Sequence, residues 1–358
     1  MKDSANADAS ACWSSPDARR RLFLMESEMK WGLDVDVHVD KFVKEYVSQM
    51  AGKSVDIERF VPDASGLTPE GMLAALGHPD IGRLGIQLMA DFMAPTGSLY
   101  FDAIYGAFHG QRDIRGWLIP TMTEIEFIDF VPTAEPVFFD DGDGVSTLDE
   151  WQMFANMGDD KIPLSRGVSV RRYRDGWITW ACDVYDTGPF RIPPPPDSGL
   201  EAAPLPPYPT VEWPINHEVP PTVVRTTDFA ADANTFHPTD SVYHDPIFGV
   251  FHGREAIREW LCDIMPKVGN IEFAPIGPRL DNGSVMVQEW VQLAVQPDGS
   301  RVAIARGTSV RRTVEGQVVY ACDYMDTAPL MDPIIQAACA SAGATITPAD
   351  ILRYQEAK

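Results

Sequence analysis

Along the last strong apolar stretch, Gln317 to Asp326, residues alternate so that Val319, Ala321, Asp323 and Met325 fall on one side and Val318, Tyr320, Cys322 and Tyr324 on the other. A period of two predicts a strand. Comparable runs, Ile125 to Phe130, Val145 to Met153, Ile162 to Arg172 and Trp177 to Tyr185, are parted by Asp143-Gly144, Gly158-Asp159-Asp160 and Asp175-Gly176, so they also read as strands joined by turns. Upstream the period changes. Phe42, Val43, Tyr46, Val47 and Met50 recur at helical spacing, Thr68-Pro69-Glu70 reads as a cap opening a helix through Leu76, and a second helical run reaches Met93. A short strand is expected over Ser98 to Asp102. After it, Ile114, Trp117 and Leu118 make the apolar stripe of a helix from Gln111 to Leu118. Thr222 to Phe236 reads as a further helical segment, and Pro348 to Tyr354 as a short closing helix.

The pattern occurs twice. Tyr100 to Leu118, YFDAIYGAFHGQRDIRGWL, returns 143 residues later as Tyr243 to Leu261, YHDPIFGVFHGREAIREWL. Arg166-Gly167-Val168-Ser169-Val170-Arg171-Arg172, then Ala181-Cys182-Asp183, returns as Arg306-Gly307-Thr308-Ser309-Val310-Arg311-Arg312, then Ala321-Cys322-Asp323. This period is that of a whole small domain, so the chain is a tandem duplication. The expected division is an N-terminal arm with one amphipathic helix at 1–65, a first domain at 66–190, the start of a proline-rich linker at 191–204, a second domain at 205–332 and a tail at 333–358. Pro193 to Pro196, followed by Pro204, Pro206, Pro207 and Pro209, predicts an extended, stiff connector.

Composition narrows the partners. A formal net charge of −23 would repel nucleic acid and anionic membranes at long range. Five cysteines, none in a Cys-x-x-Cys pair, suggest neither a disulfide framework nor a zinc site, and point to a reducing compartment. The opening MKDSANADASACWSSPDARRR lacks the apolar run of a signal peptide and no stretch is long enough to span a bilayer, so a cytoplasmic location is expected. The histidines are too scattered for a metal cluster. Asp140-Asp141-Gly142-Asp143-Gly144 with Glu150 has parts of a calcium loop, yet Asp143-Gly144 aligns with Asn282-Gly283, which makes both copies hairpin turns. His109 and His252 precede a glycine at each helix entry, where capping or packing is expected.

Helices followed by a strand, a helix and long antiparallel strands make an α+β unit. That order, Asp245-Pro246 before Ala256-Ile257-Arg258-Glu259, and the closing Ala321-Cys322-Asp323-Tyr324-Met325-Asp326 resemble the nuclear-transport-factor-2-like superfamily, especially its SnoaL-like polyketide cyclase and ketosteroid isomerase branches. The resemblance implies two cone-shaped domains, each a curved, mostly antiparallel sheet wrapped over helices. It also implies pairing within the chain as a pseudo-dimer, with further self-association left open.

The resemblance also assigns candidate chemistry. Asp245 matches the aspartate that serves as general base in ketosteroid isomerases, and burial among apolar groups would raise its pKa into a useful range. Its competing role is to open a turn by accepting backbone amides. Asp102 is its counterpart. Thr308 and Val168 fall near the position of a second isomerase aspartate, a departure from that branch. SnoaL-like cyclases carry a base on the last strand, where Asp323 and Asp183 fall. Arg306 and Arg166 are expected to pair with Asp323 and Asp183, and Glu289 and Glu150 to look into the pocket from a shared strand face. Tyr243, His244, Phe248 and Trp290 complete the supporting or substrate-contacting set, His244 pointing away from Asp245 if the strand is regular.

The activity implied is that of a cofactor-independent isomerase, cyclase or dehydratase (a lyase) acting on an apolar cyclic small molecule of polyketide, steroid or terpenoid type. Two alternatives remain: a non-catalytic ligand-binding or interaction module, and an epoxide hydrolase whose water is activated by an Asp-Arg pair.

Overall fold

The computed structural model describes residue 90, residues 93–191 apart from 125–127, 141, 143, 158–159 and 175–176, and residues 215–355 apart from 225–226. The helices expected around His38 to Met50 and Thr68 to Leu76, and the proline-rich connector, lie outside the described residues. Each repeat has its own sheet.

In the first repeat, β1 (Leu99–Asp102) and β2 (Gly106–His109) lead into α1 (Gly110–Glu124). There follow β3 (Ile128–Pro132), β4 (Val137–Asp140), β5 (Val145–Met157), β6 (Asp160–Arg174), β7 (Trp177–Tyr185) and the short α2 (Gly188–Arg191). The sheet order is β2-β1-β7-β6-β5-β3, with β4 also on β5. Three expectations change. Met93 is not helical but bridges Ile178, β2 and β4 are additional strands, and α1 runs past Leu118 through Pro120. Ile114 and Leu118 of α1 are buried against Tyr100, Ile178 and Ala181, so the helix packs on one face of this sheet.

The second repeat has the same plan. It runs β8 (Thr222–Val223), α3 (Phe229–Ala233), β9 (Val242–Asp245), β10 (Gly249–His252), α4 (Arg254–Ile264), β11 (Ile271–Pro275), β12 (Leu280–Asp281), β13 (Val285–Val295), β14 (Arg301–Val314) and β15 (Gln317–Met325). The order is β10-β9-β15-β14-β13-β11-β8, with β12 on β13; β15 and β9 are parallel. The segment from Thr222 is thus a strand before it is a helix, because Thr222 and Val223 pair with Phe273 and Glu272. The tail holds α5 (Pro333–Ser341) in addition to α6 (Pro348–Gln355).

α4 shows why this helix sits where it does. Ile257, Trp260, Leu261 and Ile264 recur on one face and are buried against Tyr243, Phe248, Phe251 and Ala321, each contributing about 1.5–3 kcal/mol of burial. Its N-cap is Gly253 at φ +79°, a conformation that favours glycine, and no side chain caps it. His252 and His109 are exposed, so neither packs as expected, and no side chain caps the helix after His252. Ile351 and Tyr354 of α6 lean on the same cluster, and Gln355 Nε2 donates to the Ile247 carbonyl at 2.8 Å.

On β14, Gly307 lies under the Trp290 ring. A Cβ there would stand 2.3 Å from the indole and 2.5 Å from the Tyr324 carbonyl oxygen. Gly307→Ala is therefore expected to destabilise the protein by about 1–3 kcal/mol through overpacking, read as a lowered unfolding midpoint. An unchanged midpoint would contradict this placement of Trp290.

Candidate active site

Strand register brings the chemical residues of the second repeat to one face. Asp323 lies opposite Ser309, which lies opposite Gln288, and Ala321 lies beside Tyr243. Tyr243 packs edge-on to Trp260, so this is the face covered by α4. Here Trp290 Nε1 donates to Ser309 Oγ at 2.9 Å, and Ser309 Oγ donates to Asp323 Oδ1 at 2.6 Å. Arg311 donates to the same Oδ1 at 2.9 Å and, through its other terminal nitrogen, to the Tyr243 hydroxyl at 3.0 Å. That hydroxyl donates to Asp323 Oδ2. The guanidinium also lies 4.9 Å above the Tyr243 ring.

This network sets the charges. Burial works against the Arg311 cation, but the Asp323 carboxylate and Tyr243 oxygen beside it push its pKa up. Burial pushes the Tyr243 phenol well above its ordinary value, helped by Asp323 and Asp245 and opposed by Arg311. Tyr243 therefore stays protonated. With both oxygens of Asp323 engaged and an arginine on it, this acid holds its neighbours in place.

Asp245 differs. Its Oδ1 accepts the Ile247 and Phe248 amides, each at 2.8 Å, so the turn role is real. Among the described residues no hydrogen bond reaches Oδ2, and the residue is half-buried. Burial is the main cause that lifts its pKa from 3.8 to about 7, with the Asp323 charge adding and the two amides and Arg311 opposing. One oxygen is fixed and the other remains open.

Comparison with known proteins places the second repeat. Residues 222–321 match the SnoaL-like domain model. Residues 222–321 are a SnoaL-like domain. Solved structures resemble parts of the chain. They include a protein with ketosteroid isomerase-like fold from Catenulispora acidiphila, in complex with trimethylamine, 21% identical over 35% of this chain and 91% of its own, TM-score 0.27. A candidate isomerase of the SnoaL-like family from Agrobacterium tumefaciens is 20% identical over 29% and 87%, TM-score 0.24. A candidate SnoaL-like polyketide cyclase from Shewanella putrefaciens is 17% identical over 32% and 88%, TM-score 0.25. No curated protein matches the chain significantly.

Within the second repeat, the structure brings Asp245, Asp323, Tyr243 and Trp290 to the helix-facing side, and Phe248 is buried beside them through Trp260. Arg306 does not join them. It lies opposite Val291 and two residues before Thr308, on the face opposite Asp323, and Arg311 takes the role expected of it. Glu289 lies opposite Thr308 and so also faces away from Asp323. His244 occupies that other face as well, its ring 5.6 Å from Tyr320. Ser309 and Arg311 were not singled out by the sequence, although both stand in the repeated Ser-Val-Arg-Arg stretch.

In the first repeat, Asp102 accepts the Ile104 and Tyr105 amides at 2.7 and 2.9 Å on Oδ1, and the Tyr185 hydroxyl at 3.0 Å on Oδ2. Burial chiefly lifts its pKa to about 6, Asp183 adding and the donors opposing. Arg171 donates to the buried Asp149 at 2.5 Å. Asp183 and Arg166 are half-buried and Glu150 is buried. Among the described residues no group of three or more His, Cys, Asp or Glu is placed to hold a metal, and no helix is long and apolar enough to cross a membrane.

A raised carboxyl pKa means that the folded protein keeps a proton the unfolded chain releases. Asp245 therefore lowers stability as pH rises from 3.8 towards about 7 and has no further effect above that. Asp102 acts with the same sign only to about 6. In urea unfolding at a series of pH values, Asp245→Asn is expected to flatten the decline, most visibly between the two midpoints. A slope identical to wild type would contradict the raised pKa.

Proposed function

We propose that the second repeat is a cofactor-independent isomerase, cyclase or dehydratase that acts by proton transfer on an apolar cyclic small molecule, with Asp245 as the base. The observation that carries this reading is the single open oxygen of Asp245, on a carboxyl lifted to about 7 and held by two amides beside Ile247 and Phe248. A base with a pKa near the working pH is ionised often enough to accept a proton and basic enough to take one from carbon next to a carbonyl. Asp245 Oδ2 would take that proton while the C–H electron pair forms the enolate; the enolate would then take the proton back at another carbon, attack an electrophilic carbonyl carbon to close a ring with the proton going to its oxygen, or expel a hydroxide that leaves with the proton as water. Isomerisation, cyclisation and dehydration share this first step.

The surroundings support an apolar, ring-bearing ligand. Ile247 packs against the buried cluster that holds Phe248 and Trp260 and also against the one formed by Trp290, Ala305 and Met325. Asp323, Tyr243 and Arg311 serve the base indirectly, since their mutual bonds fix a negative charge near Asp245 and hold β9 to β14 and β15. The epoxide hydrolase alternative would have to use Arg311, which pairs with Asp323, because Arg306 lies on the opposite face of the sheet.

The test is a fluorescence titration with 2-naphthol, whose phenolate resembles an enolate, at a pH above 8. Asp245→Asn removes a repelling charge, so binding is expected to tighten about tenfold, or about 1.4 kcal/mol. Saturable binding that does not tighten would remove Asp245 as the base. No binding by either protein would favour an interaction module.

A further inference from the structure

The two repeats agree closely around their first aspartate and part at one neighbour. Both Asp102 and Asp245 spend Oδ1 on the same two amides, those two and three residues ahead. On the closing strand, two residues after the shared Asp183 and Asp323, the first repeat has Tyr185 and the second Met325. The Tyr185 hydroxyl occupies Asp102 Oδ2, whereas a thioether cannot donate a hydrogen bond and Asp245 Oδ2 receives none among the described residues. Exposure follows suit, with Asp102 buried and Asp245 half-buried.

A second difference points the same way. Gln288 of the second repeat is replaced in the first by Asp149, and Arg171 donates to that new carboxylate. In the second repeat the matching Arg311 serves Asp323 and Tyr243. The arginine that supports the site in one copy thus has a competing anion in the other.

We propose that the residue at this closing-strand position decides which repeat does proton chemistry: Tyr185 closes the Asp102 carboxyl, Met325 leaves the Asp245 carboxyl open, and only the second repeat is catalytic. Which carboxyl is open stands on geometry, while its catalytic consequence rests on the proton-transfer reading. Tyr185 is then a gating residue inherited or acquired by the silent copy. The pKa directions agree, since the Tyr185 hydroxyl is among the groups that lower Asp102 and has no counterpart at Asp245.

Two readouts separate these layers. In the first, full-length protein is treated with a water-soluble carbodiimide and glycine ethyl ester near pH 6, and modification of Asp102 and Asp245 is followed peptide by peptide by mass spectrometry. Asp245 is expected to react about tenfold faster than Asp102, the factor that one hydrogen bond to a charged group is worth. Tyr185→Met is expected to speed Asp102 by a similar factor, and the milder Tyr185→Phe to do so in part. Met325→Tyr should slow Asp245. Equal rates in wild type, or an Asp102 rate unmoved by both Tyr185 variants, would overturn the gating role.

In the second, 2-naphthol stoichiometry is measured. One equivalent per chain is expected for wild type and two for Tyr185→Met. Two equivalents in wild type would overturn the asymmetry and leave the proton-transfer reading standing. The expected labelling contrast with no 2-naphthol bound by any variant would keep the gate and remove that reading.

Discussion

The ion pair of Arg311 with Asp323, closed through the Tyr243 hydroxyl, is the constraint on which the second repeat's site depends. Two charges taken out of water are tolerated only if nearly every lone pair and proton finds a partner. Here Ser309, Tyr243 and Arg311 satisfy both oxygens of Asp323, and Trp290 donates to Ser309 in turn. The bonds tie β9, β13, β14 and β15 together at one level of the sheet. They also leave a fixed negative charge near Asp245, which joins burial in lifting that carboxyl. Structure and electrostatics are thus set by the same atoms.

Duplication makes the point twice with different results. The turn that holds the first aspartate is the same in both repeats, down to the paired amides. What differs is the reach of one side chain on the last strand and the company kept by one arginine. In the first repeat the Tyr185 hydroxyl satisfies a buried oxygen of Asp102 that would otherwise need solvent. Asp245 of the second repeat keeps an oxygen that accepts no hydrogen bond among the described residues.

Much of this was legible in the sequence. Alternation over Gln317 to Asp326 placed Asp323, Ala321 and Met325 on one face, as the register shows, and Asp245 was visible from its place before the repeated helix. The partner of Asp323 was not. The resemblance pointed to Arg306, but Ser309 is the residue opposite Asp323, so Arg306, three residues earlier, falls on the other face. The same limit hid the face of Glu289, since a period of two says which residues share a face and not which face is covered. Short edge strands such as β2, β4 and β8 escaped notice because four residues or fewer carry too little pattern to count.

As the proposed base, Asp245 is held by the fold as a proton acceptor near neutral pH. Carbon-13 NMR of protein labelled at aspartate side-chain carboxyls, with Asp245→Asn used to assign the resonance, measures this directly. A midpoint near 7 for Asp245 is the expected result. A carboxyl that titrates close to the ordinary value of 3.8 would contradict the account, because Asp245 would then be a turn residue and nothing more.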